Sequence, residues 1–295
     1  MSAARSPLLA SLALLLVTLC WGSTFPAMKA VSEQMPAGLM VALRWLLGAL
    51  ALAPFIEWRN RALWRDASLL ALALFASFVL QVLGLTMMSA GRNAFITALN
   101  VIMVPLLLPL LGRRLSPLIW VAVVLAGAGI VVMSYEQGGN LLGDLLTFGC
   151  ALAFAVYVLG MERFAPRHDT LALAGAQAVM MALLAPLWVA AEWWLQGPGY
   201  LAHAAGASLV WQELLYLGVI CSGMVLFLQT WAQARATAVQ AAVIYALEPF
   251  FAALFATWWL GEQFGHRAML GGALVIAAML MSQWPARPAR AAAAA

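Results

Sequence analysis

Ten apolar runs of about twenty residues follow one another along the whole 295-residue chain, near 8–31, 36–56, 68–89, 91–112, 116–135, 143–163, 170–193, 209–233, 237–260 and 266–284. At 1.5 Å of rise per residue, about twenty residues cross roughly 30 Å of hydrocarbon, so each run is long enough to span a bilayer as a helix. Only 9% of the residues are charged and 65% are hydrophobic, whereas a soluble domain carries about 25% charged residues. So few charges cannot cover a water-soluble globule, and a soluble monomer is excluded. A membrane β-barrel is also excluded, because ten-residue segments of alternating polarity are absent. The expected fold is an all-α integral membrane protein with ten transmembrane helices. Arg5 ahead of the first apolar run resembles a signal peptide, but no small-x-small cleavage site follows Cys20, so the run is expected to persist as the first helix.

The net charge of +4 does not point to nucleic acid, because basic residues in such a chain sit at helix ends and set orientation. With the amino terminus inside, one face collects eleven basic residues: Arg5, Arg59, Arg61, Arg65, Arg113, Arg114, Arg163, Arg167, Arg235, Arg287 and Arg290. The other face collects only Arg92 and Arg267, and Lys29 and Arg44 fall inside helices. Both termini are therefore expected in the cytoplasm, with the chain a multi-pass protein of the inner (plasma) membrane. Glu33, Glu136, Asp144, Glu192, Glu213, Glu262, His203 and His266 are expected in solvated outer turns. Cys20, Cys150 and Cys221 lie in apolar runs without a zinc-type spacing and are expected to pack as small hydrophobes.

The chain repeats itself. At an offset of 148 residues Gln81 falls on Gln229, Ala90 on Ala238, and the segment Ala94 to Asn100 on Ala242 to Glu248. At an offset of 133, Leu19 to Lys29 falls on Leu152 to Glu162, which sets Trp21 over Phe154, Thr24 over Tyr157 and Met28 over Met161. Two halves of five helices follow, 1–138 and 139–295, and an odd number of crossings turns the second upside down relative to the first. Inverted repeats of this kind mark secondary transporters, whose substrate site lies near the bilayer midplane between the halves.

Three segments carry a family likeness: Cys20-Trp21-Gly22-Ser23-Thr24-Phe25 with Lys29, Ser89-Ala90-Gly91-Arg92-Asn93-Ala94-Phe95, and Ala246-Leu247-Glu248-Pro249 with Leu260-Gly261-Glu262. They resemble the drug/metabolite transporter superfamily, in particular its ten-helix branch built from two EamA-type repeats, over nearly the whole chain. The resemblance implies export of a small molecule, with members similar to one another while carrying amino acids, drugs, sugars or other metabolites. The first half departs from the family pattern, with Asn100 and Val101 where an acidic residue or proline is often found. Glu248 is then the one carboxylate near midplane.

A charged side chain at the bilayer centre costs about 2.5–3.5 kcal/mol or more and needs a reason. Glu248 is such a residue, and Pro249 cannot donate to the carbonyl of Tyr245, one turn earlier. Two readings stand for this pair: a proton or substrate site, and a structural hinge. Pro26 and Pro105 read as hinges. Asn93, Thr97 and Asn100 form one polar stripe, and Ala241, Tyr245 and Glu248 its repeat counterpart, as expected of a shared wet cavity. Gln81 and Gln229 are either cavity donors or links between helices. Trp21, Thr24 and Met28 form another stripe, with Tyr157 in the matching position of helix 6. Trp58, Trp64, Trp120, Trp193, Trp194, Trp211 and Trp284 lie near helix ends, where they anchor to the interface. Lys29 is expected to snorkel to the headgroups. Arg44, eight residues into helix 2, needs a carboxylate, helix-end carbonyls or an anionic substrate nearby.

The expected substrate-binding residues are thus Trp21, Thr24, Arg44, Gln81, Thr97, Asn100, Tyr157, Gln229, Tyr245 and Glu248. No His-Glu-x-x-His motif and no Gly-x-x-x-x-Gly-Lys-[Ser/Thr] loop occurs in the sequence, so an embedded hydrolase and direct use of ATP are not indicated, and neither cofactor nor metal is expected. A purely structural membrane protein would not require midplane polar stripes. Two helix-borne cations are too few for a phosphorylated sugar or nucleotide. A zwitterion with an aromatic side chain fits best, an organic cation next. The expected partners are the lipid bilayer and a small-molecule substrate, with proton coupling through Glu248 as one mechanism.

Overall fold

The computed structural model describes residues 7–112, 117–134, 140–197, 199–205, 210–263 and 265–282. Among them every regular element is helical. Seven helical stretches are long and apolar enough to cross a membrane: Leu8–Ser32, Ala37–Phe55, Arg61–Thr86, Ala90–Leu111, Leu141–Arg167, Thr170–Gln196 and Trp211–Gln233. They coincide with seven of the ten expected runs. The fifth and tenth runs form shorter apolar helices, and the ninth is divided by a break. Arg5, Arg113, Arg114, Glu136, Trp284, Arg287 and Arg290, used above for orientation and anchoring, lie outside the described residues.

In the first half, α1 (Pro7–Ser32), α2 (Ala37–Leu52) and α3 (Arg61–Thr86) are continuous. The fourth run is cut into α4 (Ala90–Thr97) and α5 (Asn100–Leu107), and α6 (Pro117–Ser134) completes the half. The second half opens with α7 (Leu141–Phe164) and α8 (Thr170–Gln196), followed by the short α9 (Gly199–Ala204). The eighth run begins as α10 (Trp211–Leu215), widens into a π-helical segment over Tyr216–Met224 and ends as α11 (Val225–Gln233). The ninth is cut into α12 (Ala238–Tyr245) and α13 (Glu248–Leu260), and α14 (His266–Ser282) is the last helix.

The packing follows the repeat. Helix α2 packs on the π segment, and its counterpart α8 packs on α3, the counterpart of that segment. The pairs α2 with α8 and α6 with α14 join equivalent helices of the two halves. Close approach depends on small residues. A Cβ at Gly22 would stand 2.5 Å from Cβ of Phe251, so α1 can lie against α13 only as glycine. A Cβ at Gly218 would stand 2.5 Å from that of Leu47, which presses the π segment onto α2. Large apolar side chains such as Leu72, Val124, Leu187, Trp194 and Leu254 instead face outward, as lipid-facing surfaces do.

Helix α1 runs through Pro26 without interruption, and the fourth run breaks at Ala98 and Leu99, well before Pro105. The break arises because Val101 N–H bonds to Ala98 O, while the Asn100 side-chain amide donates to Thr97 O at 2.8 Å. A short polar side chain has taken the carbonyl that the helix ladder would have used.

Both broken runs are capped alike. The Ser89 hydroxyl accepts from Arg92 N at the start of α4, and Thr237, 148 residues on, caps α12 in a reciprocal box with Gln240. A carboxylate adds to each cap. Glu262 accepts from Ala90 N at 2.8 Å and Gly91 N at 3.2 Å, and Glu162 accepts from Ala238 N at 3.3 Å. Negative charge at a helix N-terminus is favoured by the unsatisfied N–H groups there.

Several residues assigned to solvated ends therefore do structural work. Glu262 holds α4, Glu192 accepts from Gly38 N at 2.9 Å, and Asp144 pairs with Arg92 at 2.6 Å. Lys29 does not snorkel: its ammonium donates to Leu85 O and Met88 O at 3.1 Å, closing the C-terminal end of α3. These partners lie more than fifty residues away in sequence, which is why the helix-end pattern alone concealed them.

Candidate functional site

Between the halves lies a narrow, partly open cavity of about 50 Å³. Seven of the expected residues line it: Trp21, Thr24, Arg44, Gln81, Thr97, Gln229 and Glu248. Tyr157, Tyr245 and Asn100 are not on its wall. The two tyrosines are fully buried beneath it in a polar network. Tyr157 donates to Gln229 Oε1 at 3.4 Å, Gln229 to Gln233 Oε1 at 3.0 Å, and Tyr245 to the same oxygen at 3.4 Å. Gln233 in turn donates to Val158 O at 3.5 Å. Asn100 is buried as well, its amide tied to Thr97 O.

Trp21 and Phe154 occupy equivalent positions of the two halves, and their rings meet edge to face with centroids 5.4 Å apart. The pseudo-symmetry axis therefore passes close to this pair. Tyr245, buried behind the wall, packs on Trp21 at 4.9 Å, so the aromatic wall of Trp21 and Phe154 is backed by a third ring.

Arg44 and Glu248 supply charge. The Arg44 side chain is almost fully buried among Ser222, Met28, Trp45 and Phe78. Its Nε donates to Ser222 Oγ at 2.9 Å, one terminal nitrogen points to Met28 Sδ at 3.1 Å, and the guanidinium carbon stands 4.9 Å from the Phe78 ring centre. Ser222 is held in turn by its bond to Leu217 O, five residues back, a spacing available in the widened π turn. Among the described residues no carboxylate pairs with Arg44. The Glu248 carboxylate likewise carries no ion pair or side-chain hydrogen bond among them. Arg44 and Glu248 thus share one buried cavity, each without an ion-pair partner among the described residues.

Sequence reasoning missed Trp45, Leu74, Ser77, Phe78, Phe154, Val225 and Leu226, all of which line the cavity. Cys221, expected as an inert hydrophobe, lines it too. A signal was present. Leu74, Ser77, Phe78 and Gln81 follow helical spacing on α3, and the offset of 148 maps them onto Ser222, Val225, Leu226 and Gln229.

The apolar helices and the paired breaks define a multi-pass membrane protein of two related halves. The chain belongs to the EamA-like transporter family, whose model matches residues 8–135 and 141–283. It is thus a membrane transporter and not an enzyme. Two proteins of Archaeoglobus fulgidus, each described as an uncharacterized transporter, are similar to it. One is 28% identical over 276 residues, covering 93% of this chain and 85% of the relative, and the other is 24% identical over 286 residues, covering 92% and 96%. A solved crystal structure with 19% sequence identity superposes with a TM-score of 0.65 over 92% of this chain and 96% of the other, a likeness of fold.

Proposed function

We propose that this transporter is a secondary exporter of small metabolites, in the first place amino acids with aromatic side chains, working by alternating access around the cavity. In this reading ten spans form two inverted five-helix repeats, 1–138 and 139–295, with both termini in the cytoplasm and the chain in the inner membrane. The observation that carries the reading is the pairing of Arg44 and Glu248 in one cavity beside Trp21 and Phe154. A zwitterion presents its carboxylate to Arg44 and its ammonium to Glu248, and an aromatic side chain stacks on the rings. Arg44 disfavours a purely cationic drug, which would bring a second positive charge into a desolvated space. A phosphate ester is disfavoured as well, since Lys29 is committed to the end of α3. Proton coupling fits Glu248, a carboxylate facing a cavity that is to open on alternate sides.

Counterflow into liposomes holding the purified protein tests the substrate. Phenylalanine and tryptophan should exchange faster than aspartate or a hexose phosphate. Equal rates for all four, or none for the aromatic pair, would refute the reading. Orientation is tested on intact cells with an impermeant thiol reagent, which should label a cysteine at Gly199 and leave one at Asn60 untouched.

A further inference from the structure

The two halves are built to one plan but do not hold the same conformation. Thr24 and Thr97 of the first half line the cavity, whereas their counterparts Tyr157 and Tyr245 are sealed beneath it. Glu248 faces the cavity, whereas its counterpart Asn100 is buried. The same holds for Arg44. Helices α2 and α8 begin 133 residues apart, at Ala37 and Thr170, which sets Arg44 over Gln177. Arg44 is on the cavity wall and Gln177 is fully buried in α8.

The buried partners carry an unusual feature. Asn100 Oδ1 and Gln177 Oε1 are two of the buried side-chain oxygens without a hydrogen-bond partner among the described residues. Their amide nitrogens are used within their own helices, on Thr97 O and Leu173 O. Orphaned buried acceptors are uncommon and call for a reason. Here both sit at the repeat positions of the two charged cavity residues.

We propose that Gln177 and Asn100 form the substrate's polar subsite in the state open to the opposite face, where they receive an N–H donor such as the substrate ammonium. The proposal rests on the reading of the halves as inverted repeats. A molecule of two inverted halves reopens on the other side when each half adopts the conformation the other now has. That exchange brings positions 177, 100, 157 and 245 onto the cavity and withdraws positions 44, 248, 24 and 97. The two orphaned oxygens then meet ligand or water. Because neutral amides replace the Arg44 and Glu248 charges, the opposite-facing cavity grips a zwitterion more weakly and releases it.

Single-cysteine labelling tests this without knowledge of the substrate. With Cys20, Cys150 and Cys221 replaced, Gln177→Cys and Asn100→Cys in native vesicles should react with a polar maleimide about tenfold faster than Ala174→Cys, a buried position of the same helix, through a minor state. Reaction at 177 and 100 no faster than at 174, with all three reactive after denaturation, overturns the proposal. Liposome exchange separates the two readings. Exchange of aromatic amino acids with unreactive 177 and 100 sinks the subsite and leaves the transport reading standing. Reactive cysteines with no exchange of the aromatic pair uphold the subsite and sink the substrate assignment. Where exchange occurs, Gln177→Leu should raise KM on one membrane face and spare the other, which a merely structural role would not do.

Discussion

The broken runs α4–α5 and α12–α13 reach one geometry by different chemistry. In the second, Pro249 has no N–H to offer Tyr245 O, so the turn is interrupted by a missing donor. In the first, Val101 stands in the proline's place and has its N–H, yet Asn100 captures Thr97 O with its side chain and the backbone turns to Ala98 O instead. The consequence differs as well. Asn100 spends its amide on the break and turns inward, while Glu248 leaves its carboxylate free for the cavity. A helix break that recurs despite different residues is a property of the packed repeat, and the residue at the break decides which half presents a carboxylate.

The sharpest way to break this comparison is to neutralise the carboxylate at the second break, and with it the arginine that shares its cavity. Glu248→Gln should lower exchange by about a hundredfold and flatten its dependence on pH, and Arg44→Gln should act to a similar degree, as expected for groups that hold a ligand's charges in a desolvated site. Unchanged exchange in Glu248→Gln would make the second break as structural as the first, and unchanged exchange in Arg44→Gln would remove the arginine from the site. Restoring the ladder is the next test. Pro249→Ala offers a donor to Tyr245 O and should slow exchange while raising Tm by at most about a degree, since Pro249 stands in the first turn of α13, where proline costs a helix little. Asn100→Leu should likewise stabilise by about 1 kcal/mol, because it removes an orphaned buried oxygen. A loss of Tm in both variants would show that the breaks are demanded by packing alone.

The caps provide the smallest effects. Thr237→Ala loses a complete capping box and should cost about 1 kcal/mol, with Ser89→Ala costing about half as much at its longer 3.3 Å bond. Thermal unfolding of the purified variants reads both. Glu262→Gln, which keeps the shape and removes the charge on α4, should cost at most about 1 kcal/mol. A larger loss there would mark the Glu262 contact as a main lock between the halves.

Much of the fold was legible because a bilayer is a simple solvent. Apolar runs of crossing length announced the helices, and the offsets of 148 and 133 announced the two halves. The site was legible in part, through Glu248, Arg44 and the paired stripes, because polar residues at midplane stand out against an apolar background. Lys29, Glu262 and Asp144 were misread for a physical reason. A charge near a helix end looks the same whether water or a distant helix terminus receives it, and their partners lie in other helices. Trp45, Phe78 and Phe154 were missed because an aromatic on a cavity wall and one against lipid have the same spacing in sequence.

The sequence by itself determined that the chain is a helical membrane protein of two related halves with an isolated acid and an isolated arginine in its interior. Hydrophobic length and repetition are one-dimensional properties, and a bilayer turns them directly into structure. Only the tertiary structure decided that these two charges share one cavity, that Ser222 in a widened turn aims the arginine, and that Tyr157, Tyr245 and Asn100 are turned away from it. Which face of a helix meets its neighbour depends on close approaches such as Gly22 against Phe251 and Gly218 against Leu47, and those are fixed by the packing of helices remote in sequence.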